Sequence, residues 1–520
     1  MQLSSITKWR LAGAFVAGAG LWASLSGAQW QPDASTVGTT VSSLTQVLSR
    51  PTDHSIGINV LAPTALEAYV EYGTAPGKYS GKTTVLKSAA KVPLQIEVGK
   101  LAANTAYFYR LRYREGGSGE YQASDEYRFH TARPAGSTFV FAIQADSHPE
   151  RDGRMFTADL YARTMANVRQ DNPDFFISLG DDFSIDRGMN WPLTAEKVNQ
   201  VYINQRNYMG TAGASTPIFL VNGSHEQGQR HLLDGTPDNP AVWAGSARNR
   251  YFSQPAPDGF YTGDEERIDF IGLLRDYYAW TWGDALFIVI DPYWHSSIPI
   301  GPEFQADSGV KAAARATTQT GGQAGAQARG NAAQRDEAEG ENGRDQWLIT
   351  LGEAQYRWLQ RTLQQSKAKY KFIFSHHVLG TGRGGVEMAD LYEWGGRNAQ
   401  GGWEFDKKRP GWELPIHQMM VKYNVSAFFQ GHDHIFVRQA KDGVVYQEVP
   451  NPANPNNGKE QTDFRKYYTS GDYLGASGHL RVTVSPQNAK VDYVWSWLPQ
   501  DDKPEHKHGA VAFSYDLKPH

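Results

Sequence analysis

Phe374-Ser-His-His-Val378 and Gln430-Gly-His-Asp-His434 decide how this chain is read. Each closes a short apolar run, Tyr370 to Phe374 and Val425 to Phe429. Runs of that length, rich in Phe, Val and Ile and ending abruptly in polar residues, have the pattern of buried strands in a parallel sheet. In open α/β sheets the ligand site lies just beyond the carboxyl ends of the strands. The pattern predicts that three or four imidazoles reach one sheet edge. An edge crowded with imidazole points to a metal site.

Outward from these stretches the same pattern recurs upstream. Phe139 to Ile143 ends in Gln144-Ala-Asp-Ser-His148, and Phe175 to Leu179 ends in Gly180-Asp-Asp182. Pro217 to Val221 ends in Asn222-Gly-Ser-His-Glu226, and Ala285 to Ile290 ends in Asp291-Pro-Tyr-Trp-His295. Between the first two, Phe156, Leu160, Met165 and Val168 recur at helical spacing, which makes a βαβ unit with a right-handed crossover. Helices are expected near 353–365 and 414–423. Strands at 444–449, 479–484, 491–497 and 511–515 are expected to form a second sheet packed on the first. Trp280, Trp282 and Trp294 are expected in the core.

Before this region the period changes. From Val47 to about Pro134 short alternating runs, such as Ile56 to Val60, Leu94 to Val98 and Tyr107 to Tyr113, argue a small antiparallel sandwich. The expected division is therefore an export signal at 1–28, a polar linker at 29–45 and a β-sandwich at 46–134. An α/β domain follows at 137–500, with a C-terminal strand or tail at 501–520. Lys8 and Arg10 before an apolar stretch, then Ser26-Gly-Ala28, carry the export reading and a periplasmic or secreted location. Residues 306–344, rich in Ala, Gly, Gln and Thr, read as a low-complexity, disordered spacer.

Composition narrows the chemistry. The 520 residues carry 51 Lys+Arg against 55 Asp+Glu, a formal charge of −4, which gives no general attraction to nucleic acid or an anionic membrane. There is no cysteine, so disulfides and thiolate metal sites are excluded. A metal here must be held by His, Asp, Glu, Asn, hydroxyls or water, and His favours the first-row metals.

Five polar clusters thus fall in order at the ends of expected strands: Asp146-Ser-His148, Gly180-Asp181, Gly223-Ser-His-Glu226, His376-His377 and Gly431-His-Asp-His434. In this order they resemble the calcineurin-like metallophosphoesterases, the group that includes purple acid phosphatases. The resemblance covers about Thr138 to Trp495. Tyr72-Gly-Thr-Ala-Pro76 is similar to the N-terminal domain of purple acid phosphatases. Leu101-Ala-Ala-Asn-Thr-Ala-Tyr107 resembles a corner of fibronectin type III-like domains, where a Tyr bonds back to the backbone. The resemblance implies a four-layer α/β/β/α sandwich preceded by an immunoglobulin- or fibronectin-like one. It implies two divalent or mixed-valence metal ions, Fe, Mn or Zn. Asp146, His148 and His434 would hold one ion, His376 and His432 the other, and Asp181 would bridge them. His225 would face the substrate as a catalytic donor. A metal-activated water would attack phosphorus.

Two positions depart from the family pattern. Where the family has an Asn ligand for the second ion, this chain has Ser224, with Asn222 two residues back as a substitute. Where purple acid phosphatases carry a Tyr ligand, it has Ser184, so the tyrosinate colour and an iron requirement do not follow. His377 is an alternative to His376. Asp433 is either an orienting carboxylate or a solvated or capping one, and Asp182 is a supporting or exposed residue rather than a ligand. Arg248, Arg250, Arg383 and Arg397 are candidate phosphate contacts, since guanidinium matches phosphate bidentately. The expected function is hydrolysis of small phosphoesters outside the cytoplasm, with no obligate nucleic acid and no membrane partner once the signal is cleaved. The alternatives are a nucleotide or nucleic-acid phosphodiesterase and, because of Ser224, an impaired metal- or phosphate-binding protein. Oligomeric state is not legible.

Overall fold

Strict alternation marks one strand of the first unit, Leu94–Val98. Its apolar residues are buried and Gln95 and Glu97 are exposed, so one face packs and the other meets water. The structure, a computed structural model, describes residues 39–185, 193–226, 228–298, 345–379, 383–456 and 464–520. The expected export signal at 1–28, most of the linker and the 306–344 spacer lie outside the described residues. Thr45–Ser49, Ile56–Leu61 and Leu94–Val98 form an antiparallel sheet. A second antiparallel sheet is built on the long pair Leu66–Gly73 and Ala106–Glu115. Ile58, Val60, Val70, Ile96, Tyr109 and Leu111 fill the space between them. The corner at Tyr107 is closed as expected, with the Ala102 N–H donating to Tyr107 Oη at 2.8 Å.

Residues 39–44, expected as linker, pack instead. Thr39 and Val41 are buried, and the Gln200 side chain brackets Thr40, accepting from its N–H at 2.6 Å and donating to its carbonyl at 3.0 Å. Arg206 ties the sandwich to the next unit. It is fully buried and donates to Thr45 Oγ1 at 2.9 Å, to Asn59 Oδ1 at 2.8 Å, to the Asn59 carbonyl at 2.9 Å and to the Tyr251 carbonyl. Burial pulls its pKa down to about 9, so it stays charged at neutral pH and is satisfied by neutral oxygens alone.

The second unit has two sheets face to face. One has the order Ile218–Leu220, Phe175–Ser178, Phe139–Gln144, Ser477–Val484, Ala489–Ser496, Val511–Leu517. Its first three strands are parallel, with Ile143 opposite Ile177 and Ile177 opposite Phe219. The other has a parallel centre of Ala285–Val289, Tyr370–Phe374, Ala427–Gln430 and Val444–Glu448, flanked by antiparallel strands. Phe141, Phe175, Phe287, Phe372, Phe374 and Phe429 interdigitate between the sheets. Phe374 and Phe429 stack at 5.2 Å, and Phe141 meets Phe287 edge-on at 5.0 Å. Helices Ala158–Asp171, Ala195–Gly213 and Pro240–Tyr251 cover the first sheet, while Gly352–Gln365 and Ile416–Lys422 cover the second. This is the four-layer α/β/β/α arrangement.

Two expectations change. The strands before Asp146, Asp181 and Asn222 belong to one sheet, and those before Asp291, His376 and Gly431 to the other. The imidazoles after Phe374 and Phe429 do share one sheet edge, as expected, whereas Asp146, His148 and Asp181 come from the facing sheet. The strands after Gln430 are likewise shared out: Phe436–Lys441, Val444–Glu448 and Asp472–Leu474 extend the histidine sheet, and the rest extend the aspartate sheet. The 501–520 tail contributes an edge strand, paired along Ala489–Ser496. Local apolar patterning marks a strand but carries no label for its sheet. Among the described residues no helix is long and apolar enough to cross a membrane.

Candidate metal centre

Each strand stops and the backbone turns sharply at a potential ligand. Asp146, His148, Asp181, His432 and His434 all have positive φ, between 47° and 81°. Non-glycine residues there are uncommon, and such strain clusters at functional sites. The glycines of the motifs serve close approach. A Cβ on Gly431 would lie 2.5 Å from Asp146 Oδ2, and one on Gly223 would overlap Asp181. Without that Cβ, the His432 N–H donates to Asp146 Oδ2 at 2.8 Å.

Two overlapping groups result. Asp146 Oδ1 lies 3.4 Å from His434 Nε2 and 3.8 Å from His148 Nε2. Asp181 Oδ2 lies 3.0 Å from His376 Nε2, which is 3.3 Å from His432 Nδ1. The same Asp181 oxygen is 3.8 Å from His148 Nε2, so it faces both groups. Asp146 with His148 and His434, and Asp181 with His376 and His432, each converge as a metal could require. A third combination, His148, Asp181 and His225, overlaps them.

Neighbours fix these side chains. His376 Nδ1 bonds the Leu179 carbonyl at 2.9 Å, which turns Nε2 inward. His148 Nδ1 lies 2.8 Å from Glu150 Oε1 and 3.3 Å from Ser184 Oγ. Glu226 accepts the N–H groups of Asp181, Asp182, Phe183 and Gly223 at 2.7–3.1 Å and binds the two loops together. Asp182 is buried and accepts from Ser147 N and Gln144 Nε2, each at 3.2 Å, a supporting position as expected.

The donor set fits a cation. Asp146 Oδ1 and His148 Nε2 are fully buried and have no hydrogen-bond partner among the described residues. Such orphans are costly unless something fills the space between them. Burial and then Arg151 hold His148 well below the usual histidine range, and burial and then Arg383 do the same for His432, so both rings are neutral as ligands must be. Burial opposes a charge on His376, but Asp181 and Asp146 outweigh it and push its pKa up to about 9. The carboxylates thus call for a positive charge at the point where the imidazoles meet. With no cysteine in the chain, the site offers only N and O donors.

The alternative at the Asn-ligand position resolves toward Ser224. Its Oγ donates to Asp181 Oδ2 at 3.1 Å and lies 3.3 Å from Oδ1. Asn222 turns away and donates to Asp291 Oδ2 at 3.3 Å. His377 stacks on Tyr293 at 5.5 Å, leaving His376 at the centre. His225 stands where expected: its backbone N–H donates to Asp181 Oδ1 at 2.9 Å, and its Nε2 is 3.6 Å from Asp181 Oδ2.

The arginines divide differently from expectation. Arg248 lies in the Pro240–Tyr251 helix and is sealed by the Leu220 and Arg275 carbonyls at 2.7 Å each. Arg250, on the same helix, donates to Asn199 Oδ1 at 3.1 Å, and Arg397 donates to Gly401 O within its own loop at 2.8 Å. Arg383 reaches the centre but is committed to Asp433 Oδ1 at 2.6 Å and the His432 carbonyl at 3.2 Å. Asp433 also accepts from Gly384 N at 2.9 Å and Tyr468 Oη at 2.7 Å. Asp433 therefore anchors Arg383 and Gly384, and Arg383 locks the His432–His434 turn. Sequence reasoning missed Glu150 and Arg151. Arg151 Nη2 lies 3.2 Å from His225 Nε2, and its Nε donates to Glu150 Oε1 at 3.2 Å. The only signal was their adjacency to Asp146-Ser-His148.

Behind Asn222 lies a buried carboxylate cluster. No donor among the described residues reaches either oxygen of Asp276, and its neighbours are Asp291 and Asp264. Burial first, then those two charges, hold Asp276 well above the usual carboxylate range. The folded state therefore binds a proton that the unfolded state releases above about pH 4, and stability falls as pH rises from there toward the folded pKa. Asp276→Asn should melt higher than the parent at pH 8, with an advantage that shrinks toward pH 5. Thermal melts across that range test this, and an advantage that grows on acidification would contradict it.

The sequence model of the calcineurin-like phosphoesterase family matches residues 139–436, more than half of the chain. Purple acid phosphatase 22 of Arabidopsis thaliana is 29% identical over 137 residues, which are 25% of this chain and 27% of that protein. The match thus spans about a quarter of the relative's length. The solved structure of PhoD superposes with a TM-score of 0.59 at 13% identity, covering 94% of this chain and 93% of that one. Purple acid phosphatase PPD1 from yellow lupin (Lupinus luteus) seeds superposes with a TM-score of 0.55 at 14% identity, covering 92% and 74%. At those identities the likeness is one of fold. The family match, over a span that contains every one of these candidate ligands, shows that the chain belongs to the calcineurin-like phosphoesterase family.

Proposed function

We propose that the protein is an exported phosphoesterase with a binuclear metal centre that cleaves small phosphoesters by direct attack of water. The observation that carries this is the placement of Asp181 Oδ2, which faces both His148 and His376, beside fully buried Asp146 Oδ1 and His148 Nε2 that have no hydrogen-bond partner among the described residues. Asp146, His148 and His434 would hold one ion, His376, His432 and Ser224 the other, and Asp181 both. When bound, two ions supply Lewis-acid polarisation of the phosphoryl oxygen and a water of lowered pKa. His225 faces the space beside Asp181, where it can donate to a phosphoryl or leaving oxygen. Glu150 and the Leu179 carbonyl keep the ligand imidazoles in register. The near-balanced charge favours a small substrate over a long polyanion. Export rests on the residues 1–28 pattern.

Ser224 supports a second element of the reading. A hydroxyl is shorter and a weaker ligand than an amide carbonyl, and this one is already bonded to Asp181. The second ion is therefore held less tightly than the first. Metal-stripped protein resupplied with manganese, zinc or iron should recover hydrolysis of chromogenic phosphate esters, with one ion retained on dialysis and the other partly lost. Ser224→Asn should raise retention toward two. Absence of turnover with every metal, at one ion or fewer per chain, would remove the hydrolase reading and leave a metal- or phosphate-binding protein.

A further inference from the structure

We propose that Arg151 receives the phosphoryl group's charge at this centre and thereby biases hydrolysis toward phosphomonoesters over diesters. The inference rests on the hydrolase reading above and names its substrate class. Of the arginines at the centre, Arg383 is consumed by Asp433 and the His432 carbonyl. Arg151 is bonded too, its Nη1 to Met155 Sδ at 3.4 Å and its Nε to Glu150, but its Nη2 is turned toward the centre. It ends the short turn Pro149–Arg151 directly after His148, and its side chain keeps 18% exposure at the rim of an otherwise buried cluster. Its Nη2 is 3.2 Å from His225 Nε2, the group that faces Asp181. Its Nε is tied to Glu150 Oε1, the same oxygen that lies 2.8 Å from His148 Nδ1. One carboxylate thus positions both a metal-facing imidazole and the guanidinium, so Arg151 keeps a set place relative to the centre.

Chemistry favours an anionic oxygen beside it. Arginine has only donors, and an imidazole nitrogen is a neutral acceptor. A phosphoryl oxygen entering next to His225 is the stronger acceptor, since charge-assisted bonds from guanidinium to phosphate are about twice as strong as neutral ones. A phosphomonoester carries about −1.5 to −2 charge near neutral pH. A diester carries one less ionisable oxygen and presents a second organic group instead, for which a guanidinium offers no matching charge.

The test uses the full-length, metal-loaded chain with Arg151→Ala and Arg151→Lys. Alanine should lower kcat/KM for a monoester by roughly 10–100-fold, the range of one charge-assisted hydrogen bond, while diester hydrolysis changes by less than about threefold. Inorganic phosphate should bind correspondingly more weakly, and lysine should recover part of both losses. Bound metal per chain should stay at the parent level. Equal loss on both esters, or loss of metal, would overturn the proposal by making Arg151 a support for Glu150 and His148. Unchanged monoester turnover would overturn it as well. If the parent hydrolyses neither ester, the hydrolase reading fails by itself; calorimetric titration with inorganic phosphate still decides Arg151, and equal affinity in parent and alanine variant would overturn its role.

Discussion

Asp181→Asn should abolish most turnover, by about 10³-fold or more in kcat/KM, the scale of losing a principal electrostatic contribution, and should reduce bound metal to one ion or fewer per chain. Asparagine keeps the shape but not the charge. Asp181 Oδ2 is the oxygen shared between the two imidazole groups, 3.0 Å from His376 Nε2 and 3.8 Å from His148 Nε2. Burial works against its charge, yet His376 and His225 keep the carboxyl well below the usual carboxylate range. Replacing it leaves those imidazoles without the anion that faces them and, on the proposed reading, would leave a second ion with two imidazoles and a hydroxyl. The amide would also disturb the Ser224 hydroxyl and His225 N–H, both of which now donate to Asp181. Metal analysis and steady-state rates on folded variant check this. Activity within tenfold of the parent at unchanged metal content would show that Asp181 is not the shared ligand.

His225→Ala should act on rate alone. We expect kcat to fall by about 10²–10⁴, the usual contribution of a positioned proton donor, with metal content unchanged. The reason is in the bonding: the hydrogen bond that supports Asp181 Oδ1 comes from the His225 backbone N–H, which alanine retains, while the ring stands 3.6 Å from Oδ2 without a hydrogen bond to it. The loss should be larger for an alkyl phosphate than for a nitrophenyl phosphate, because a poor leaving oxygen needs the proton more. Equal losses on both esters would assign the ring to binding the phosphoryl oxygens instead. A kcat within threefold of the parent on the alkyl ester would remove His225 from the catalytic groups.

The strands and the ligand clusters were legible because both are local signals. An apolar run of five residues that stops at Asp, Gly or His reads the same before and after folding, and so does the alternation of Leu94–Val98. The motif glycines were visible too, although their purpose was not: only the fold shows that Gly431 admits Asp146 Oδ2 and Gly223 admits Asp181.

What the sequence by itself determined is the class of the fold, the order of the candidate ligands and the absence of thiolate chemistry, since each depends on residue type and local spacing. The tertiary structure alone decided the rest. It split the ligand strands between two facing sheets and chose Ser224 over Asn222 and His376 over His377. It turned Arg248 and Arg383 into structural groups and brought Arg151 to His225. These outcomes depend on which surfaces meet, and residues such as Arg151 and His225, 74 positions apart, carry no local record of that meeting.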